Sequence, residues 1–135
     1  MAEQLLLPML VHVSIVALLY ALLTVVRAPK VWNIGANADG SNPFAKFEPK
    51  VSANLTNQFE WPVLFYVVCI IVIARPELYQ PIYLWLSWLF IFGRIIHSAT
   101  QIFTANIRLR GAIFTINFTA VIGMWFILGS HVFIK

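Results

Sequence analysis

The sequence contains few charged residues. Only 10% of its 135 residues are Asp, Glu, Lys or Arg, while 61% are hydrophobic. A soluble domain of this size carries about a quarter charged residues, so the composition excludes a soluble protein and indicates an integral membrane protein. The net charge of +4 is scattered along the chain. This does not favour nucleic-acid binding, because nucleic-acid sites cluster their basic residues.

Cysteine and metal-binding patterns are also scarce. The single cysteine, Cys69, lies in an apolar segment, which excludes a disulfide framework and favours a small packing residue. The sequence has no histidine pair at metal-binding helical spacing and no glycine-rich phosphate loop, so no metal site is expected. The first apolar segment does not resemble a signal peptide, because residues 1–3 carry no basic charge and the nearby A-x-A motif, at 36–38, lies too far downstream.

Long uncharged segments, by contrast, are abundant. Residues 5–26 and 111–134 contain no formal charge, and each run exceeds the ~20 residues that span ~30 Å of hydrocarbon as a helix. Two further apolar segments cover residues 51–74 and 82–106. The sequence therefore predicts an all-α integral membrane protein, a four-helix transmembrane bundle in a single domain over residues 1–135. A polar loop at residues 27–50 joins the first two helices.

Basic residues are distributed unevenly between the two sides of this bundle. Those in the first and third connections are Arg27, Lys30, Lys46, Lys50, Arg108 and Arg110. The opposite side carries only Arg75 and Lys135. Because basic loops stay in the cytoplasm, we expect a multi-pass protein with loop 27–50 in the cytoplasm and both termini on the non-cytoplasmic side.

Polar residues recur along one face of the third predicted helix. This stripe consists of Arg94, His97, Gln101, Thr104 and Arg108. Successive members are 3, 4, 3 and 4 residues apart, which places them on one face of a helix. A charge near the bilayer centre costs at least ~2.5–3.5 kcal/mol. The stripe must therefore be stabilised by protein partners, by water or by a ligand.

The second predicted helix carries suitable partners. Asn57 and Glu60 stand three residues apart near its loop end, and Glu60 is the only acidic residue inside a predicted span. One interpretation is an internal ion pair between Glu60 and Arg94 or Arg108. The other is a pocket for a small anionic molecule, since arginine binds carboxylates through two parallel hydrogen bonds. Four short helices enclose little volume, so we expect a homo-oligomer to complete such a pocket.

Two segments together resemble the MAPEG superfamily, the membrane-associated proteins of eicosanoid and glutathione metabolism. The first is NQFEWPVLFY at 57–66, with N-x-x-E followed by proline. The second is GRIIHSATQIFTANIRLRG at 93–111, with G-R-x-x-H and a further arginine 13 residues after the histidine. The resemblance covers essentially the whole chain, because size, span number and predicted orientation agree as well.

This resemblance implies a homotrimer that binds glutathione as co-substrate between neighbouring subunits. The glutathione-binding residues it implies are Arg27, Asn57, Glu60, Arg94, His97, Gln101 and Arg108. Glu60 would contact the amino end of glutathione and Asn57 its backbone, while Arg27 would reach its carboxylates. Arg110 matches the arginine associated with the glutathione thiol, and is the implied catalytic residue.

The chain departs from the family pattern around this thiol. Gln101 and Phe114 occupy positions where family members often carry tyrosine, Gly111 replaces a serine, and segment 51–56 (VSANLT) lacks the usual arginines. Pro62 also follows Glu60 more closely than in the best-known members. These changes remove cationic and hydroxyl groups from the implied site.

Two functions therefore stay open. The first is a glutathione transferase or peroxidase that attacks a lipophilic electrophile or lipid hydroperoxide from the surrounding lipid. The second is a non-catalytic lipid-binding or scaffold protein of the same fold. A transporter is disfavoured, because four spans without broken repeats give little basis for alternating access. The expected location is the inner or plasma membrane in a bacterium, or the endoplasmic reticulum in a eukaryote.

Overall fold

Helices make up 80% of the structure, a computed structural model that describes residues 1–133. The predicted end of the last helix at 134, and Lys135, lie outside the described residues. In chain order, the helices are α1 (Leu6–Trp32), α2 (Glu48–Asn57), α3 (Pro62–Ala74), α4 (Pro81–Phe103) and α5 (Ile107–Phe133). No strand occurs within residues 1–133. Four helical segments are long and apolar enough to cross a membrane, with α2 and α3 together forming the second. The predicted all-α, four-span membrane fold is therefore confirmed.

The second span differs from the continuous helix predicted over residues 51–74. It breaks between Asn57 and Pro62, so that α2 and α3 are separate helices. Pro62 opens α3, where its missing N–H is harmless, and its ring would crowd the carbonyl of Gln58 in a continuous helix. The break leaves backbone carbonyls of α2 without partners inside the helix, and this becomes important at the site.

The connection between α4 and α5 is also shorter than predicted. The third span ends at Phe103 instead of residue 106, and α5 begins at Ile107 instead of residue 111. The Asn106 side chain accepts a hydrogen bond from the backbone N–H of Leu109 at 3.0 Å, which is the usual geometry of a helix N-cap. Arg110 therefore lies in the first turn of α5 and not in a flexible loop.

The first helix is longer than the predicted span of 5–26. Helix α1 has 27 residues and ends at Trp32, followed by Asn33 in the left-handed conformation with φ 57°. At 1.5 Å per residue such a helix measures about 40 Å, which exceeds the ~30 Å hydrocarbon thickness. The excess length requires either a tilt of the helix or turns outside the hydrocarbon. In its C-terminal part, Arg27 Nε donates to Glu48 Oε1 at 2.6 Å and links α1 to α2.

Two apolar clusters hold the bundle together. The larger cluster joins α3, α4, α5 and the N-terminal turn, and includes the stacked rings of Phe65 and Phe90, 4.3 Å apart. The smaller cluster joins α1, α2 and the end of α4, around Leu23, Val51 and Ile102. Buried polar residues separate the two clusters. They lie between the residues of one cluster and those of the other along α1, along α2–α3 and along α4. The apolar core is thus divided by a polar layer.

Helix direction brings the basic connections together at one end of the bundle. Residues 33–47 follow α1 and precede α2, while residues 104–106 join α4 to α5. Lys50 and Arg110 line one pocket there. We call this the basic end; its predicted location in the cytoplasm stays a prediction.

Candidate functional site

Seven polar side chains from α1, α2, the α2–α3 break and α4 form a buried layer near the basic end. Six of them are buried and one is half-buried. The members of this polar layer are His12, Asn54, Asn57, Gln58, Arg94, Ser98 and Gln101. Unpaired polar groups are costly in such surroundings, and the structure satisfies them through hydrogen bonds within the layer.

Gln58 lies at the centre of the layer, in the break between α2 and α3. Its Oε1 accepts from His12 Nε2 at 3.0 Å and from Arg94 Nε at 3.1 Å. Its Nε2 donates to Asn54 Oδ1 and to Ser98 Oγ, both at 3.1 Å. An amide offers two acceptor positions and two N–H donors, so the four bonds use its whole capacity and fix its orientation.

Two further amides extend the layer toward the basic end. Asn54 Nδ2 and Asn57 Nδ2 both donate to Gln101 Oε1 at 3.0 Å. Gln101 therefore links α4 to two residues of α2. On the opposite side, the Tyr66 hydroxyl lies 2.8 Å from His12 Nδ1. The same hydroxyl also lies 3.5 Å from the backbone carbonyl oxygen of Met9, to which it can donate.

Arg94 is almost completely buried, with 1% of its surface exposed. In addition to its bond to Gln58, its Nη2 donates to the backbone carbonyl of Asn57 at 2.9 Å. That carbonyl is available because the helix stops there. Within residues 1–133, neither Arg94 nor Glu60 belongs to a salt bridge. The ion pair considered from sequence is therefore not formed.

Next to this layer, two adjoining pockets form a groove between α2, α4 and α5. The first, about 240 Å³, contains Glu60, Trp61 and Arg94, and the second, about 440 Å³, contains Gln101 and Arg110. Asn57, His97 and Phe114 line both. The remaining residues of the groove are Ala53, Ile107 and Gly111.

Charge is distributed along the groove in an ordered way. Glu60 is exposed in the first pocket, beside the buried guanidinium of Arg94. Arg110 is half-buried in the second pocket and also lines a third, of about 270 Å³, that leads toward Lys50. A polar molecule in the groove would meet a carboxylate near one end and cations farther along.

Residues that depart from the family pattern also line this groove. Gln101, Gly111 and Phe114 surround the second pocket together with Arg110. None of these three side chains supplies a hydroxyl group. Any stabilisation of an anion in this pocket therefore depends on Arg110 and on the amides.

Six of the eight site residues predicted from sequence line the groove. The structure does not bring the other two into it. Arg108 is exposed near the start of α5, and Arg27 bonds Glu48 and, at 3.1 Å, the hydroxyl of Ser52. Their contact with glutathione stays a prediction.

Sequence reasoning did not identify the residues that organise the groove. Gln58 follows Asn54 by four residues, so both side chains fall on the same face of a helix. Two polar side chains on one face of a predicted span are the signal by which the sequence could have revealed them. Trp61 lines the first pocket, and within residues 1–133 its Nε1 is buried without a hydrogen-bond partner, as is His97 Nδ1. No cluster of three or more metal-ligating side chains occurs in the described part of the chain.

Comparison with known proteins places the chain in a family. No curated protein and no solved structure gives a significant match. The sequence model of the MAPEG family, however, matches residues 5–130, which is nearly the whole chain. That family includes glutathione transferases and related membrane proteins. With four membrane-spanning helices and this match, the chain belongs to the MAPEG family.

Proposed function

We propose that this protein is a membrane-bound glutathione transferase or peroxidase. The groove between α2, α4 and α5 supports this proposal, because it combines the Glu60 carboxylate, the Asn57 amide and the Arg110 cation in adjoining pockets. Glutathione carries an amino group, amides, carboxylates and a thiol. The carboxylate of Glu60 suits the amino group, and the cations suit the anionic groups.

The chemical step requires a thiolate. A free thiol has a pKa near ~8.5, and an adjacent cation lowers it. In our proposal Arg110 supplies that cation. For a substrate with a leaving group, the thiolate sulfur forms a bond to the electrophilic carbon, and the leaving group departs with the bonding electron pair.

For a hydroperoxide, the same thiolate attacks the terminal oxygen and releases the alcohol. The resulting sulfenic acid condenses with a second glutathione, so that two thiols are oxidised to one disulfide while the hydroperoxide is reduced to alcohol and water. Both routes need only a stabilised thiolate and an apolar co-substrate, which the surrounding lipid delivers.

The proposed assembly is a homotrimer with the basic end in the cytoplasm. Residues 27–50 and the start of α5 carry six of the nine lysines and arginines, and basic segments of this kind face the cytoplasm. At the groove, Trp61 Nε1 and His97 Nδ1 are buried without a partner in the described part of the chain. These atoms suit a ligand or a neighbouring subunit that completes the groove. The lipophilic substrate would enter from the bilayer.

The pocket assignment predicts that Asn57→Ala and Glu60→Ala each weaken glutathione binding by about tenfold. Each variant removes a charged or dipolar contact to the peptide, and hydrogen bonds to charged groups contribute about 1.5–3 kcal/mol. Titration calorimetry with glutathione on protein purified in detergent measures the dissociation constant. Glu60 makes no hydrogen bond or salt bridge with another side chain in residues 1–133, so its loss reports on the ligand and not on the fold.

Thr56→Ala is the matched control for these variants. Thr56 is exposed on α2, and its hydroxyl bonds only the carbonyl of Ser52 in the same helix. We expect unchanged affinity in this control. Full affinity in both Asn57→Ala and Glu60→Ala would refute the pocket assignment.

A non-catalytic lipid-binding or scaffold protein is the second candidate function. The absence of a hydroxyl side chain at Gln101, Gly111 and Phe114 beside Arg110 favours it. Conjugation of glutathione to a generic aryl halide by the purified protein separates the two functions. A protein that binds glutathione without turnover, for aryl halides and hydroperoxides alike, supports the second candidate.

A further inference from the structure

Gln58 occupies the position where a carboxylate would normally neutralise a buried guanidinium. Arg94 is 1% exposed and Gln58 is 2% exposed. The contact between them runs from Arg94 Nε to the amide oxygen of Gln58. Buried charges in proteins are usually paired with an opposite charge, whereas this one bonds a neutral amide and the backbone carbonyl of Asn57.

The four hydrogen bonds of Gln58 hold its oxygen toward Arg94. Asn54 Oδ1 and Ser98 Oγ accept from its Nε2, and His12 Nε2 donates to its Oε1. Reversal of the amide would place Nε2 against the donors of Arg94 and His12, which is unfavourable. The neighbours therefore define a single orientation of the amide.

Arg94 lines the first pocket of the groove, so its charge acts on whatever occupies that pocket. Glu60 lines the same pocket but forms no salt bridge with it within the described chain. Because the amide of Gln58 is neutral, it adds no counter-charge behind the guanidinium, and the Glu60 carboxylate in the same pocket is a nearby negative charge. The guanidinium therefore keeps a positive charge that faces the groove. A glutamate at position 58 would cancel much of that charge at a distance of about 3 Å.

We infer that Gln58 is a positioning residue that fixes Arg94 without adding a counter-ion, and so leaves the guanidinium able to bind an anionic group of the ligand. This inference rests on the proposed function, in which the ligand is glutathione. Gln58 does not line the groove, so it acts through Arg94. The chemical class that benefits is an anion, either a carboxylate or the thiolate.

Gln58→Glu tests this role, because the carboxylate keeps the size and the acceptor of the amide and adds a counter-ion. The Ser98 hydroxyl can rotate to donate to it. We expect the dissociation constant for glutathione to rise by at least about tenfold, measured by calorimetry on the full-length protein. Thermal unfolding of the same samples shows whether the variant is folded.

Asn117→Asp is the matched control, since Asn117 is equally buried but lies on α5, outside the polar layer and the groove. We expect a change below about threefold for this variant. An equal loss in both variants contradicts the inference, because any buried negative charge would then suffice. S-Methylglutathione identifies the anion: a loss confined to glutathione assigns the thiolate, and an equal loss with both ligands assigns a carboxylate.

If Gln58→Glu does not fold, Gln58→Met replaces it in the test. The methionine leaves Arg94 charged but without its acceptor, and we expect about a three- to tenfold loss of affinity from the displaced side chain. Wild-type protein that does not bind glutathione refutes the proposed function and this inference together. Wild-type protein that binds, with the folded Gln58 variant unchanged, refutes only the role of Gln58.

Discussion

Arg110→Ala is expected to lower kcat/KM for aryl halide conjugation by about 100-fold at neutral pH. In our proposal this cation stabilises the thiolate, and removal of one preorganised donor to a developing anion costs about 10²–10³ in rate. Arg110 is half-buried in the second pocket, where Gln101, Gly111 and Phe114 offer no hydroxyl to replace it. Steady-state rates measured against pH test both the size and the cause of the effect.

The pH dependence of kcat/KM distinguishes loss of the Arg110 cation from a general loss of active-site structure. Without Arg110, the thiol of bound glutathione returns toward its ordinary pKa of ~8.5. The difference between wild type and variant should therefore shrink as the pH rises above that value, because the thiolate then forms unaided. A deficit that is constant from pH 6.5 to 9.5 contradicts the role of thiolate stabiliser.

Lys46→Ala is the control for this experiment. Lys46 also lies at the basic end, carries the same charge and is exposed outside the groove. We expect its kcat/KM to remain within about twofold of wild type. An equal loss in both variants would assign the effect to the general positive potential of the basic end.

Gly93→Ala is expected to destabilise the protein by about 1–3 kcal/mol, the usual cost of overpacking a core. A Cβ at Gly93 would overlap Asn117 Oδ1, and both residues are buried between α4 and α5. Since these two helices form the most extensive contact of the bundle, one methyl group must displace a helix or a side chain. Thermal unfolding in detergent measures the loss.

Two further variants test the cause of this destabilisation. Gly129→Ala places a Cβ in open space on α5, and we expect it to be neutral or slightly stabilising, since alanine is the better helix former. Asn117→Ala removes the obstructing side chain, whose Oδ1 and Nδ2 are buried without partners among the described residues. It should therefore restore stability to Gly93→Ala. Failure of this rescue contradicts the steric explanation.

Several features of the protein followed from the sequence alone. The low charge and the long apolar runs required a four-span membrane fold, because hydrocarbon tolerates few charges and each span needs about 20 residues. The order and spacing of N-x-x-E and G-R-x-x-H indicated the family, which the family match over residues 5–130 confirmed. Asn57, Glu60, Arg94, His97, Gln101 and Arg110 were named from sequence and line one groove.

Other features depended on the tertiary structure. A hydropathy pattern does not reveal that Pro62 ends α2 early enough to free the Asn57 carbonyl for Arg94. Nor does it show that the partner of Arg94 is the amide of Gln58, 36 residues away, instead of Glu60. Hydrogen-bond pairing across helices depends on their rotation and depth, which only packing against the other helices sets. The sequence thus determined which polar groups enter the membrane, and the packing decided which of them pair and which stay available to a ligand.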